Sequence, residues 1–354
     1  MVFLKKLFTE INIKNLKIKN RVCIPPMVVP VAEDGYVTSS NVERYKELAK
    51  GGPGLIIQEA TCINEDGKLA EKQIGIWSDD QVEGLRKIVD AVHEEGCPIF
   101  VQIHHAGVVG ISEEPLCPSP YEFNGYGRKV VGREMTLEDI KSVQNDYIEA
   151  ARRAYEAGYD GIELHGCHGY LICQFLNKRV NKRNDEYGKN PENFVIEILE
   201  GIRKVTPKEF IVGIRLGGFE PAIEDGIHYA KIFEQQGIDF LDVSYGFSNG
   251  QEINVGEDYK YSNAVYAAER IKKEVSVPVF AVDGINSGDM AEAILNETNV
   301  DLVDIARGAL INPNWANDAR EGKDTGKCLR CSKCAWFGLS KACPGRAIFS
   351  RNNA

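Results

Sequence analysis

Eight short runs of β-branched and aliphatic residues recur along the chain, each followed by a stretch with apolar residues at helical spacing. The runs are 21–26 (RVCIPP), 54–60 (GLIIQEA), 98–104 (PIFVQIH), 161–165 (GIELH), 210–216 (FIVGIRL), 238–244 (IDFLDVS), 278–283 (PVFAVD) and 300–306 (VDLVDIA). They are apolar without clean alternation, which is how parallel strands buried on both faces read. After Ser78-Asp79-Asp80, a helix is predicted over 81–95, with Val82, Leu85, Ile88, Val89 and Val92 on one face. Thr136, with Asp139 three residues on, is a capping box leading into a helix over 140–157. Asn190-Pro191-Glu192 opens another with proline at its first position, and Gly51, Gly96, Gly158 and Gly237 close four helices.

Repeated strand–helix units of this number predict a (β/α)8 TIM barrel in the α/β class. A doubly wound open sheet competes. The barrel is preferred because the unusual residues fall at the C-terminal ends of the runs, at 25–27, 59–60, 102–105, 165–168, 215, 245, 283–284 and 307. In a barrel those ends converge on one mouth, whereas an open sheet strings them along an edge. The alternating stretch 11–19 (INIKNLKIK) predicts a hairpin plugging the floor. Long loops at 27–40 and 106–133 are lid candidates, the second rich in Pro115, Pro118, Pro120, Tyr121, Phe123 and Tyr126. The expected division is a barrel over 1–322 and a short Cys-rich C-terminal tail over 323–354.

Composition narrows the class. The chain has 354 residues, 43% of them hydrophobic and 27% charged, which excludes disordered and collagen-like proteins. No apolar run approaches the roughly 20 residues that span a bilayer. Met1 to Lys6 lacks the apolar core of a signal peptide, so no membrane association and a cytoplasmic address are expected. With 42 Lys and Arg against 52 Asp and Glu, the net charge of −10 disfavours a nucleic-acid partner. Six of the ten cysteines are scattered, but Cys328, Cys331, Cys334 and Cys343 crowd the C-terminal end, which reads as metal or cluster binding.

Three constellations carry candidate chemistry. His165, His168 and Tyr170 follow one strand: neutral imidazoles can hold a carbonyl or phenolate oxygen, and a tyrosine can deliver a proton. The same histidines could bind zinc with His104 or His105 as third ligand, or simply be hydrogen-bonded. Gly284, Ala306 and Arg307 end the last two strands, where such barrels bind phosphate; ordinary strand-to-helix turns are the plain alternative. Gln102 and Arg215 are polar residues near the ends of apolar strands, suited to the carbonyl edge of a flavin.

In order along the chain, these residues resemble the old yellow enzyme family of FMN-dependent ene-reductases. The resemblance covers residues 7–315. It is carried by Asn20-Arg21 through Pro26-Met27, Gln102 with His105-Ala106-Gly107, and His165-x-x-His168-Gly169-Tyr170-Leu171. It continues through Gln174-Phe175-Leu176, Asn181-x-Arg183-x-Asp185-x-Tyr187-Gly188, Ala306-Arg307 and Asn312-Pro313. The resemblance implies that Pro26, Met27 and Val28 lie along the reactive edge of FMN. Ala60 and Gln102 would contact its pyrimidine side, Arg215 its N1 edge, and Gly284, Ala306 and Arg307 its phosphate. His165 and His168 would bind the activating oxygen of an unsaturated carbonyl substrate such as an enone or enoate, and Tyr170 would be the proton donor.

Val28 stands where relatives often place a threonine or cysteine that bonds the flavin, and it excludes a cysteinyl-flavin link. Ala306 is similar to the subgroup containing trimethylamine dehydrogenase and bacterial 2,4-dienoyl-CoA reductase. That subgroup carries a [4Fe–4S] cluster, for which Cys328, Cys331, Cys334 and Cys343 are the candidate ligands here; zinc and unligated thiols are the alternatives. Large relatives continue into FAD- and NAD(P)H-binding domains, but this chain ends at Ala354 and has no GxGxxG motif. The flavin is therefore expected to be reduced by NAD(P)H docking directly, or by a partner protein acting through the tail, where Trp336 and Phe337 lie. Competing functions are oxidative amine demethylation on the same fold and a redox- or metal-sensing electron-transfer protein. RNA dihydrouridine synthases share barrel and flavin, but the acidic charge argues against them. A homo-oligomer is compatible with all of these.

Overall fold

The computed structural model describes residues 5–125, 127–247, 252–332, 334 and 343–352. Eight parallel strands among them close into a barrel: β1 (Val22–Ile24), β2 (Leu55–Cys62), β3 (Ile99–His104), β4 (Gly161–Gly166), β5 (Ile211–Gly217), β6 (Phe240–Ser244), β7 (Val279–Ala281) and β8 (Leu302–Asp304). All eight expected runs form the strands, and the open-sheet alternative is excluded because β8 pairs with β1. Register places Arg215 beside His165 of β4 on one side and Asp242 of β6 on the other. It also places Gln102 of β3 beside Glu163 of β4.

The barrel interior is layered because strand side chains alternate between faces. Its floor is apolar: Leu55, Ile57, Phe100, Ile211, Phe240, Phe280 and Leu302 pack with Ile13 and Ile18. Those two isoleucines come from the antiparallel pair Ile11–Ile13 and Leu16–Ile18, joined through Lys14 in the left-handed region. The hairpin plug is thus where the alternation put it. Fully burying each isoleucine contributes about 1.5–3 kcal/mol. Phe240 stacks on Phe100 and on Phe280 at 5.4 and 4.9 Å.

Local start and stop signals hold in most places. Thr136 Oγ1 accepts the Asp139 N–H at 3.1 Å while the Asp139 carboxylate accepts the Thr136 N–H at 2.8 Å, opening the helix Leu137–Ala157. Gly96, Gly158 and Gly237 are left-handed as expected, but after Ser39–Lys50 it is Gly52, not Gly51, that takes the positive φ. Pro191 stands ahead of its helix, which runs Asn193–Val205, because Asn190 is already closing the short helix Glu186–Lys189. The segment 106–133 is more ordered than a lid loop. Tyr121–Gly125 pairs antiparallel with Arg128–Glu134, whose end pairs in parallel with Leu116–Cys117. In the tail, the helix Pro344–Asn352 packs on Arg307–Ile311. No described helix is long and apolar enough to cross a membrane. Met1 to Leu4, Tyr126, Trp336, Phe337 and 248–251 lie outside the described residues.

Candidate active site

Above the apolar floor the barrel turns polar. Glu163, Asp242 and Asp304 sit at buried positions of strands that are otherwise aliphatic, each two residues before a mouth residue: His165, Ser244 and Ala306. Period-2 geometry puts each pair on the same inner face. Gln102 Nε2 donates to Glu163 Oε1 at 2.7 Å, and Arg215 Nε lies 3.3 Å from Asp242 Oδ2. Burial opposes the charge on Arg215, but Asp242, with Cys167, Glu163 and Asp304 behind it, holds the guanidinium protonated. Burial and the Asp242 carboxylate push Glu163 well up, and Asp304 likewise. Arg215 thus has a partner within the protein, Asp242.

The mouth above this layer is a cavity of about 430 Å³. Pro26, Met27 and Val28 form one wall, Ala60, Gln102 and Arg215 contribute to its lining, and His165, His168 and Tyr170 stand together at the rim. His165 Nε2 and His168 Nδ1 are 3.0 Å apart, and His168 Nε2 is 2.9 Å from Ser244 Oγ. The His165 and Tyr170 rings meet edge-on at 4.6 Å, with His104 behind Tyr170 at 5.2 Å. Burial holds all three imidazoles neutral, pulling His168 and His104 down to about 3 and His165 well below its ordinary value. His168 itself is left-handed (φ 60°), and so is Gly169 (φ 75°), where a Cβ would stand 2.0 Å from Phe247. The turn that swings His168 toward His165 therefore needs glycine after it.

A second cavity of about 380 Å³ adjoins the first and shares Ala306 and Arg307 with it. Gly284 and Asp283 line it, and Gly284 has a φ of 76°. Arg307 Nη2 is already 2.6 Å from Asp283 Oδ1, so its charge is partly spent within the protein.

Sequence reading missed a buried clamp on the first wall. Glu59 Oε2 accepts the Val29 N–H at 2.8 Å, and its Oε1 accepts from Tyr45 Oη at 3.1 Å and Arg44 at 3.5 Å. Arg44 Nη2 also reaches the Met27 carbonyl at 3.3 Å. A glutamate inside the run GLIIQEA was the available signal. Leu69, Leu310 and Arg330 also line the large cavity and were not anticipated.

The zinc reading of the histidines does not gather the expected ligands. His104 Nε2 is taken by Gln73 at 2.7 Å, and His105 Nδ1 accepts the Gly107 N–H at 3.0 Å. Among the described residues only His165, Cys167 and His168 bring three ligand atoms within 4.8 Å. Burial pushes the Cys167 thiol well up, and the two imidazoles already face each other. Of the tail cysteines, Cys328, Cys331 and Cys334 border the large cavity, while Cys343 packs with Met27 and Val31 on the Val29–Leu310 patch.

The joined cavities fit the flavin mononucleotide that the resemblance implies. One has apolar walls from Pro26, Met27, Val28, Ala60 and Leu310 with the Arg215 guanidinium among them; the other is edged by Gly284 and lies beside Arg307. The comparisons agree. Residues 6–325 match the model of the NADH:flavin oxidoreductase / NADH oxidase family. The chain is 38% identical over 335 residues to the NADPH dehydrogenase of Geobacillus sp. (strain WCH70), covering 92% of this chain and 96% of that protein. It is 36% identical over 350 residues to the NADH oxidase of Thermoanaerobacter brockii, covering 94% of this chain but only 54% of that protein. Among solved structures, a 2-naphthoyl-CoA reductase in complex with 2-naphthoyl-CoA superposes with a TM-score of 0.88 at 26% identity, over 97% of this chain and 56% of that one. An old yellow enzyme homologue from Zymomonas mobilis gives 0.80 at 29% identity, over 92% and 95%. This chain thus spans about half the length of two of these proteins and nearly all of the others. The chain belongs to the NADH:flavin oxidoreductase / NADH oxidase family, the family of the old yellow enzymes.

Proposed function

We propose that the chain is an FMN-dependent reductase of activated C=C bonds, acting on an enone- or enoate-type carbonyl compound. The observation that carries this is the convergence of His165, His168 and Tyr170 on the rim of a cavity lined also by Pro26, Met27, Val28, Ala60, Gln102 and Arg215. FMN, when bound, would supply the hydride for the β carbon, with NAD(P)H or a partner protein as the source of electrons. The protein's own work is polar. On substrate binding the His165 Nε2–His168 Nδ1 contact would open, so that the two neutral imidazoles turn toward the substrate oxygen and draw charge away from the double bond. Ser244 holds His168, and His168 holds His165, so one hydroxyl orients the pair. Tyr170 Oη delivers the proton to the α carbon, while Arg215 offsets negative charge at the edge of the ring. Gly284, Ala306 and Arg307, which line the second cavity, would hold the phosphate.

Cys328, Cys331, Cys334 and Cys343 are the proposed ligands of a [4Fe–4S] cluster. Four thiolates in this grouping could instead hold zinc, which takes four-cysteine sites of its own. Three of these cysteines border the flavin cavity, which suits electron exchange with a partner.

The test uses anaerobically purified protein, its absorption spectrum and its iron and zinc content. Flavin bands with iron are expected. In stopped flow, Tyr170→Phe should leave flavin reduction by NADPH unchanged and slow reoxidation by 2-cyclohexenone by about 10²–10⁴-fold. A protein that refuses FMN, or a variant that is reoxidised at the parent rate, overturns the reading.

A further inference from the structure

Arg330 lies in the tail sequence Cys328-Leu329-Arg330-Cys331, at an exposed position remote in sequence from the barrel mouth. Its φ of 50° is in the left-handed region, which an arginine rarely occupies. With that turn, Nη2 comes within 3.8 Å of the point where a Cβ on Gly284 would stand. Arg330 also lines the large cavity together with Ala306 and Arg307, the two residues shared with the smaller one. It therefore stands where the two cavities join.

Charge balance gives this position a meaning. A phosphate monoester carries about −1.5 to −2 at neutral pH. Beside Gly284, such a group would meet Arg307, whose charge is shared with Asp283 at 2.6 Å. Arg330 makes no ion pair with any described residue. Among the described residues its guanidinium is a cation without an ion pair within reach of that position, and its planar fork suits phosphate oxygens.

We propose that Arg330 binds the phosphate of the flavin mononucleotide, so that the Cys-rich tail completes the cofactor site. The proposal rests on the flavin reading above. It also makes tail docking and cofactor binding reciprocal: whatever seats the tail tightens FMN, and FMN seats the tail.

The test compares FMN with riboflavin, which has the ring but no phosphate, by flavin-fluorescence titration of the deflavinated full-length chain. For Arg330→Ala, FMN affinity should fall about tenfold or more, with riboflavin affinity unchanged within about twofold. Arg330→Lys should fall between, since it keeps charge and loses the fork. Raising salt should narrow the gap between parent and Arg330→Ala. Circular dichroism of each variant checks that the barrel is intact. Unchanged FMN affinity in Arg330→Ala overturns the proposal, as does an equal loss for FMN and riboflavin, which would place Arg330 on the ring. A parent chain that binds neither flavin overturns the flavin reading itself, and this proposal with it.

Discussion

Replacing Glu59 by glutamine isolates the clamp on the cavity wall. The carboxylate is fully buried and takes hydrogen bonds at both oxygens: the Val29 N–H on Oε2, and Tyr45 Oη with Arg44 on Oε1. Tyr45 Oη meanwhile accepts the Glu59 N–H at 2.8 Å. Glutamine has a single acceptor oxygen. If its amide nitrogen faces Val29, that N–H is orphaned; if it faces Tyr45 and Arg44, the guanidinium loses its counter-charge. A buried donor left unpaired costs about 1–3 kcal/mol. Burial penalises the glutamate's charge and raises its pKa despite Arg44 and the Val29 N–H, so a neutral amide recovers part of that penalty. The expected net loss is therefore about 1–2 kcal/mol. Urea unfolding of the flavin-free chain, shown reversible and followed by far-ultraviolet circular dichroism, should show a lower midpoint at unchanged m-value. FMN affinity should also weaken, because Val29 and the Met27 carbonyl hold the backbone of that wall. A variant as stable as the parent within about 0.5 kcal/mol, with unaltered FMN affinity, would refute the clamp.

Two further outcomes follow from the buried titratable groups. Burial, with Arg215 nearby, lowers His168 to about 3 in the fold, so the unfolded chain binds more protons between that value and the ordinary histidine range. Its contribution is present above about pH 6.5 and is lost as pH falls toward 3. The stability difference between parent and His168→Asn should therefore shrink with acid over that window, the carboxylate contributions cancelling in the comparison; a flat difference contradicts the neutral imidazole. Asp242→Asn should cost less than the about 3–5 kcal/mol usual for breaking a buried ion pair. Glu163 or Asp304, whose carboxyls are held protonated by burial and by Asp242, can ionise in its place. That replacement is easier at high pH, so the loss should be larger at pH 6 than at pH 9, and a pH-independent loss would show that the three carboxylates do not share their protons.

The barrel was legible because its cause is local and repeated. Each strand is a run whose β-branched residues prefer extended backbone, and the runs recur with amphipathic helices between them. The hairpin floor was legible for the same reason, since alternation around Lys14-Asn15 leaves Ile13 and Ile18 on one face. The mouth followed from the rule that strand ends converge, which is why Met27, Gln102, His165, Arg215 and Arg307 meet around one cavity. Pro191 misled because proline marks a helix start without saying whether a preceding turn has ended.

What tertiary structure alone decided depends on register and on chain crossings that no local pattern encodes. Glu163, Asp242 and Asp304 were visible as acids in apolar runs, but only the barrel's pairing sets them around Arg215 and Gln102. Glu59 became a clamp because the segment after β1 folds back across β2. The segment 106–133 acquired a sheet because Leu116–Cys117 finds the end of Arg128–Glu134, a pairing invisible in a proline-rich stretch. The composition of the tail announced its cysteines, yet only the fold brings Cys328, Arg330 and Cys331 to the cavity lined by Met27 and Arg307. Periodicity is a property of neighbours in sequence, whereas a binding site is assembled from side chains that meet only after the barrel has closed.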